Sequence, residues 1–301
     1  MPDAAPPPPR PLPRQVHVIG AGGRSGAALC RALLAQGVAV VPVVRDRRRW
    51  EETGLPGQAR LAAIEDGAAL RRALADAASV VSTAHARHAA AVIAAAPETA
   101  RLLFLGSTRK FTRWPDAHGN GVLAGERALL RSGRNGTMLH PTMIYGAQGE
   151  NNVRRLAALL RRLPVLPLPG GGRALVQPIH QDDLTLAMLA ALRDGQDGPR
   201  SLVVAGPEAV PYRAFARAVA EAAGVQPRPV VPVPAAALIA AARLARLVPG
   251  LPRIGPDEVR RLGEDKAFDI EPMRRELGVS PISLREGLRR TFAGSELRGG
   301  A

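Results

Sequence analysis

The stretch Gln15-Val16-His17-Val18-Ile19-Gly20-Ala21-Gly22-Gly23-Arg24-Ser25-Gly26 decides the fold. Its first five residues make a short apolar run suited to a buried strand, and Arg24 to Gln36, stopped by Gly37, has helical spacing. Between them Gly20, Gly23 and Gly26 are spaced G-x-x-G-x-x-G. The first glycine permits a tight turn, the second lets backbone approach a pyrophosphate, and the third lets helix and strand pack closely. A helix starting there offers N–H groups and the positive end of its dipole to an anion. A dinucleotide is therefore expected, held by Gly20, Gly23, Arg24, Ser25 and Gly26.

The same rhythm continues downstream. Apolar runs at 38–45, 60–64, 79–83, 102–106 and 137–145 alternate with helical patterns at 68–75, 89–96 and 122–131. Apolar strands without polar alternation, each followed by a helix, predict a parallel sheet covered on both faces, a doubly wound α/β (Rossmann) domain. Pro42 predicts a strand end or bulge. Past Gly146 the pattern loosens: helix at 152–162, loop at 164–173, helix at 182–192, one more core strand at 201–205. The remainder, 212–222, 235–247, 256–262 and 284–292, is mostly helical. Residues 1–14 read as a disordered proline-rich tail, 15–150 as the core completed by about 180–206, and 151–179 with 207–301 as a smaller helical cap.

Composition narrows the partners. The 301 residues are 46% hydrophobic and 22% charged, which excludes global disorder. The net charge of +15 comes from basic residues that, apart from Lys110 and Lys266, are all arginine. They are scattered along helices, and aromatics at 3% are too few for a base-stacking platform, so nucleic acid is not an expected partner. Cys30 is the single cysteine, which excludes a disulfide framework and fits a reducing, cytoplasmic setting. The opening residues have no apolar core of a signal peptide, and no run of about 18 apolar residues predicts a spanning helix.

The end of the second strand bears on the nucleotide. Arg45 stands there, followed by Asp46 and by Arg47, Arg48 and Arg49. Arg45 and Arg24 could fork a 2′-phosphate, so NADP(H) is expected over NAD(H). A solvated arginine run, with Asp46 on a ribose hydroxyl, is the alternative. Glu65 or Asp66 is placed to meet the adenine edge, though Asp66 is equally suited to cap a helix. Thr83, ending the fourth strand, completes the expected cofactor set.

Taken together, the glycine loop, Ser107-Thr108, His140-Pro141 to Tyr145-Gly146, the segment Ile179-His180-Gln181-Asp182-Asp183, and Glu276-Leu277-Gly278 to Gly287-Leu288 resemble the extended and atypical short-chain dehydrogenase/reductases, the epimerase/dehydratase-like proteins. The resemblance covers roughly residues 15–292. It implies a cofactor on the core, a small-molecule substrate under the cap, and oxidoreduction or isomerisation of a carbonyl compound. Where the family keeps an arginine, this chain has His140.

One departure matters more. The family relies on Tyr-x-x-x-Lys, whose lysine tunes the tyrosine for proton transfer. The two tyrosines, Tyr145 and Tyr212, are followed four residues on by Gly149 and Ala216. Measured back from Glu126, the family's positions hold His118 and Val122. The resemblance leaves Ser107 and Thr108 to polarise a carbonyl, with Tyr145 or His118 as proton donor. Against these stand a strand-end hydroxyl, a core tyrosine and a loop histidine. Lys110 lies nearby in sequence, without a spacing rule to support it.

The remaining clusters read as structural. His180, Asp182 and Asp183 match a helix-capping segment of the family; His85 and His88 lack a third ligand, so no metal is expected; and Cys30 falls on an apolar helix face. The second functional reading is a non-catalytic NADPH-binding subunit or sensor, with no appreciable turnover of sugar nucleotides or simple ketones. The amphipathic helix from Asn152 to Leu163 and the apolar helix from Ala235 to Leu247 could then rest on a partner protein or the inner face of a membrane. Core packing is the competing reading of both helices.

Overall fold

A computed structural model describes residues 10–146, 152–193, 197–245 and 255–296. The first half alternates strictly: β1 (Gln15–Ile19), α1 (Arg24–Ala35), β2 (Ala39–Val44), α2 (Arg47–Glu51), β3 (Arg60–Leu61), α3 (Gly67–Leu74), β4 (Ser79–Ser82), α4 (Ala89–Ala95), β5 (Arg101–Leu105), α5 (Ala117–Ser132) and β6 (Gly136–Pro141). Then come β7 (Ile144–Tyr145), α6 (Asn152–Arg162), β8 (Leu166–Pro169), β9 (Leu175–Val176), β10 (Ile179–His180), α7 (Gln181–Arg193) and β11 (Pro199–Val204). The last part holds β12 (Val210–Pro211), α8 (Tyr212–Ala222), β13 (Val230–Val233), α9 (Ala235–Ala245), α10 (Pro256–Arg261), α11 (Glu271–Leu277) and α12 (Leu284–Glu296).

The seven-stranded sheet has the order β11-β6-β5-β4-β1-β2-β3, with every neighbouring pair parallel. The order reverses between β1 and β4, and in a doubly wound sheet that switch point opens the ligand crevice at the strands' carboxyl ends. The α/β doubly wound architecture is thus as the sequence implies. Successive strand residues feed opposite faces. Val16 and Val18 pack with Leu29, Leu33 and Met188 under α1 and α7, while Ile19 joins Leu70, Val92 and Leu129 under α3, α4 and α5. Cys30 is fully buried in the first layer, and that burial pushes its thiol up to about 12, so it is inert. A third cluster unites α6, α8 and α12 around Leu156, Phe215 and Leu288, forming the cap.

Several elements depart from the sequence reading. The tail is tied down from Arg10, whose amide donates to the Arg193 carbonyl at 3.1 Å, and Leu12 packs on the core. Residues 1–9 lie outside the described residues. Pro42 sits inside β2, where β3 pairs only with Val43 and Val44 and leaves that stretch of β2 an edge. The predicted sixth strand is two: β6 in the main sheet, and β7, which leaves it to pair with β10. The supposed loop at 164–173 contains β8, paired with β13. The segment around α11 returns from the cap to pack Ile270, Met273 and Leu277 into the core.

Of the two helices that could meet a partner, α6 buries its apolar stripe, Val153, Leu156, Ala157 and Leu160, within the cap and leaves its arginines exposed. On α9, Leu238 and Ile239 are half-buried, and residues 246 and 247 lie outside the described residues. No helix among the described residues is long and apolar enough to cross a membrane.

Candidate functional site

The glycine loop is shaped by close backbone approach. Gly20 has φ +78°, a left-handed conformation that suits glycine, and its carbonyl accepts from the Gly23 amide at 2.9 Å. A Cβ on Gly26 would lie 2.2 Å from that same carbonyl oxygen, and one on Gly22 would lie 3.0 Å from Arg49. The first turn of α1 has no side-chain cap from Gly23 and no acidic residue. This is a cradle only glycines can line, open to an anion at a helix N-terminus, and a pyrophosphate fits it.

Side chains around the loop divide into those turned inward and those left outside. Thr83 directs its hydroxyl at the Ile19 and Gly20 carbonyls, 3.1 and 3.2 Å away, so its proton holds the loop's shape. Ser25 donates its hydroxyl to Gln181 at 3.1 Å, tying α1 to α7 and leaving its backbone to face a phosphate. Asp66 caps α3, its Oδ1 accepting from the Ala68 and Ala69 amides. Glu65 is exposed and stands 3.9 Å from His88. Asp46 likewise caps α2 through the Arg48 amide, and Trp50 anchors that helix by donating to the Gly57 carbonyl at 2.9 Å. The arginine run is therefore a helical turn pinned beside the glycine loop, with Arg45 and Arg24 both exposed.

A cleft of about 490 Å³ opens beyond the ends of β5 and β6, between the 107–113 segment and the cap. Ser107 and Thr108 line it. Ser107 caps a 3-10 turn, its oxygen accepting from the Arg109 amide at 3.1 Å. The Ser107 amide donates to Nδ1 of His140 at 3.2 Å. Thr108 donates its proton to the Pro141 carbonyl at 3.2 Å. Of the two expected hydroxyls, then, Thr108 donates to the Pro141 carbonyl and Ser107 donates no bond among the described residues.

Behind Ser107 lies a buried polar network. His140 accepts at Nδ1, so its proton sits on Nε2 and is donated to Glu126 at 3.2 Å. The same Glu126 oxygen accepts from Lys110 Nζ and from Ser201 Oγ, each at 2.5 Å. Burial, and then the Lys110 charge, lower the His140 pKa to about 4, so the ring is neutral. Burial alone would raise the Glu126 carboxyl, but the bonds from Lys110 and Ser201 bring it below the usual carboxylate range. Gly106 makes room for the ring: a Cβ there would lie 2.3 Å from His140 Nδ1.

Two expected proton donors are placed elsewhere. Tyr145 does not reach the cleft; it is 1% exposed, and a Cβ on Gly287 would lie 2.0 Å from its hydroxyl oxygen. Burial, reinforced by Asp183, raises its pKa further from neutrality. His118 is not on a loop but in the first turn of α5, started by Asp116 accepting from the Gly119 amide. Its ring meets His85 edge-on at 4.3 Å, and neither lines the cleft. Burial, then His118, lowers His85 to about 4; burial, then Arg109, lowers His118. The His180 segment is a helix start: its Nδ1 accepts from the Asp182 amide, and buried Asp183 accepts from the Ile282 amide at 3.2 Å. No metal-holding group of three His, Cys, Asp or Glu side chains exists among the described residues.

No family profile matches the chain. An uncharacterized protein of Sinorhizobium fredii (strain NBRC 101917 / NGR234) is 29% identical over 168 residues, 54% of this chain, and the chain spans 41% of that relative's length. Among solved structures, the NADPH-dependent quinone oxidoreductase of Escherichia coli complexed with NADPH aligns with TM-score 0.72 at 19% identity, covering 94% of this chain and 100% of that one. The UDP-glucose 4-epimerase of Thermotoga maritima with UDP-glucose aligns at 0.70 and 17% identity, covering 94% and 99%. The triphenylmethane reductase of Citrobacter sp. aligns at 0.73 and 15% identity, covering 93% and 99%. These likenesses are of fold: the chain has the Rossmann fold of the short-chain dehydrogenase/reductase and epimerase-like proteins.

Proposed function

We propose that this protein is an NADP(H)-dependent reductase of a carbonyl-containing small molecule. The observation that carries the reading is Ser107, a hydroxyl that donates no bond among the described residues, at the rim of the substrate-sized cleft, on the strand end next to the glycine-loop crevice. The loop from Gly20 to Gly26 would hold the pyrophosphate, and Arg24 and Arg45 the 2′-phosphate. Bound there, the reduced dinucleotide would supply hydride. Ser107 would donate to the substrate oxygen, held in place by neutral His140.

Reduction suits these residues better than epimerisation. Epimerisation of a sugar needs a base to take a hydroxyl proton. Here Lys110 is engaged by Glu126, Tyr145 is buried away, and Tyr212, which lines the cleft, is raised by burial to about 12. An acceptor that becomes a stable anion on reduction needs only a hydrogen-bond donor. Of the proteins of like fold, the E. coli one is an NADPH-dependent quinone oxidoreductase by name, complexed with NADPH, and the Citrobacter one a triphenylmethane reductase.

The same engagement of Lys110 favours a second reading, a cofactor-binding subunit or sensor without turnover. Following reduced-nicotinamide absorbance over quinones, analysing the products formed from sugar nucleotides, and measuring thermal unfolding separates them. Turnover of a quinone that Ser107→Ala abolishes supports the reductase. Thermal stabilisation by NADPH without any turnover favours the sensor, and epimerisation of a sugar nucleotide overturns both.

A further inference from the structure

Building on the reductase reading, we infer that the cleft takes planar aromatic carbonyl compounds bearing a carboxylate, with Arg261 and Lys266 receiving the acid group. The chain holds only five Phe, two Tyr and two Trp, yet two aromatic pairs line this one cleft. Phe111 and Phe268 have ring centroids 5.6 Å apart, and Tyr212 and Phe215 5.8 Å apart. Rings gathered in this way favour a flat apolar ligand.

The charge balance supplies the second half. The three carboxylates lining the cleft are committed: Glu264 accepts from the Thr112 hydroxyl and the Arg113 amide, Glu258 from the Gly255 amide, and Asp265 from the Leu175 amide. The cations are in surplus. Arg109 takes Asp116 with two bonds, at 2.8 and 2.5 Å, leaving Arg261 only a 3.6 Å approach to the same carboxylate. Lys266 donates to the Arg261 carbonyl at 2.6 Å and makes no ion pair among the described residues. Burial, and then the neighbouring Arg261 charge, lower the Lys266 pKa against the opposing charge of Glu264, and a further anion on this pair of cations would offset the remaining desolvation. Few polar side chains are left for sugar hydroxyls: Thr108, Thr112 and Gln177 are already bonded within the protein, while the buried Thr142 hydroxyl has no partner among the described residues.

The test is calorimetric titration of the full chain, first with NADP⁺ and then, saturated with it, with three probes. Anthraquinone-2-carboxylate is expected to bind about 10- to 100-fold tighter than 2-(hydroxymethyl)anthraquinone, the value of a charge-assisted hydrogen bond. UDP-glucose should bind more weakly than either. Lys266→Met should remove most of the carboxylate's advantage while leaving the neutral ring's affinity unchanged. Equal affinities for the two anthraquinones, a comparison made on the unaltered protein, would overturn the inference, as would tighter binding of UDP-glucose. Failure of NADP⁺ to bind at all would instead remove the reductase reading on which the inference rests.

Discussion

His140 holds Ser107 by its backbone: the Ser107 amide donates to the imidazole Nδ1 at 3.2 Å, and the opposite ring nitrogen donates to Glu126. The Ser107 backbone is thus fixed from behind, through β6, while its side chain lines the cleft. Ser107→Ala should lower kcat/KM about 100-fold or more, the usual cost of one donor to a developing oxyanion. Thr108→Val should cost far less, because the Thr108 proton is spent on the Pro141 carbonyl. Steady-state kinetics on both variants, with NADPH affinity as the control, check this; equal losses would contradict it.

His140 also gives the fold an acid dependence. Its folded pKa, about 4, lies below the ordinary 6.5. The unfolded chain therefore takes up a proton on acidification before the folded one does, and stability falls as pH drops from 6.5 towards 4. The slope from one such group is at most about 1.4 kcal/mol per pH unit. Asp183, raised by burial to about 6, acts in the opposite sense, since its folded form takes up the proton first. His140→Gln should show a shallower loss of stability over this window in urea unfolding. An unchanged slope would mean that the ring is not held neutral.

Gly26→Ala should damage both fold and cofactor binding, because its Cβ would meet the Gly20 carbonyl at 2.2 Å. Overpacking against backbone costs about 1–3 kcal/mol or more. Gly67, which opens α3 with open space around its Cβ position, is the control: Gly67→Ala should be neutral or stabilising by up to about 1 kcal/mol. Thermal unfolding of the pair, with and without NADPH, gives the answer.

Tyr145→Phe should leave turnover within about twofold, since the hydroxyl is buried against Gly287 and does not face the cleft. A loss as large as that of Ser107→Ala would return Tyr145 to the mechanism.

What the sequence revealed follows from how local each constraint is. The glycine loop was legible because a positive φ and a near-contact demand glycine at fixed spacing. Helix α8 was found with its observed bounds, its apolar face repeating at helical period. The start of α5 was hidden by Gly119 and Gly121, which weaken a helical pattern. The glycines of this helix let it pack: a Cβ on Gly125 would lie 2.0 Å from the Ala86 carbonyl oxygen. Strand β8 was masked by its prolines. The Lys110–Glu126–His140–Ser201 network had no signal, since only the fold brings four separate elements to one carboxylate oxygen. The commitment of Thr83, Ser25 and Thr108 to backbone or neighbouring side chains was equally invisible.

The most direct test of the account is calorimetric titration of the purified protein with NADPH and with NADH, repeated on Arg45→Ala. Arg45 is exposed at the end of β2, beside the loop that would carry the pyrophosphate. The account predicts NADPH binding at least about 10-fold tighter than NADH, and loss of most of that difference in Arg45→Ala with NADH affinity unchanged. Equal or tighter binding of NADH would contradict the assignment of the two arginines, and binding of neither nucleotide would contradict the function itself.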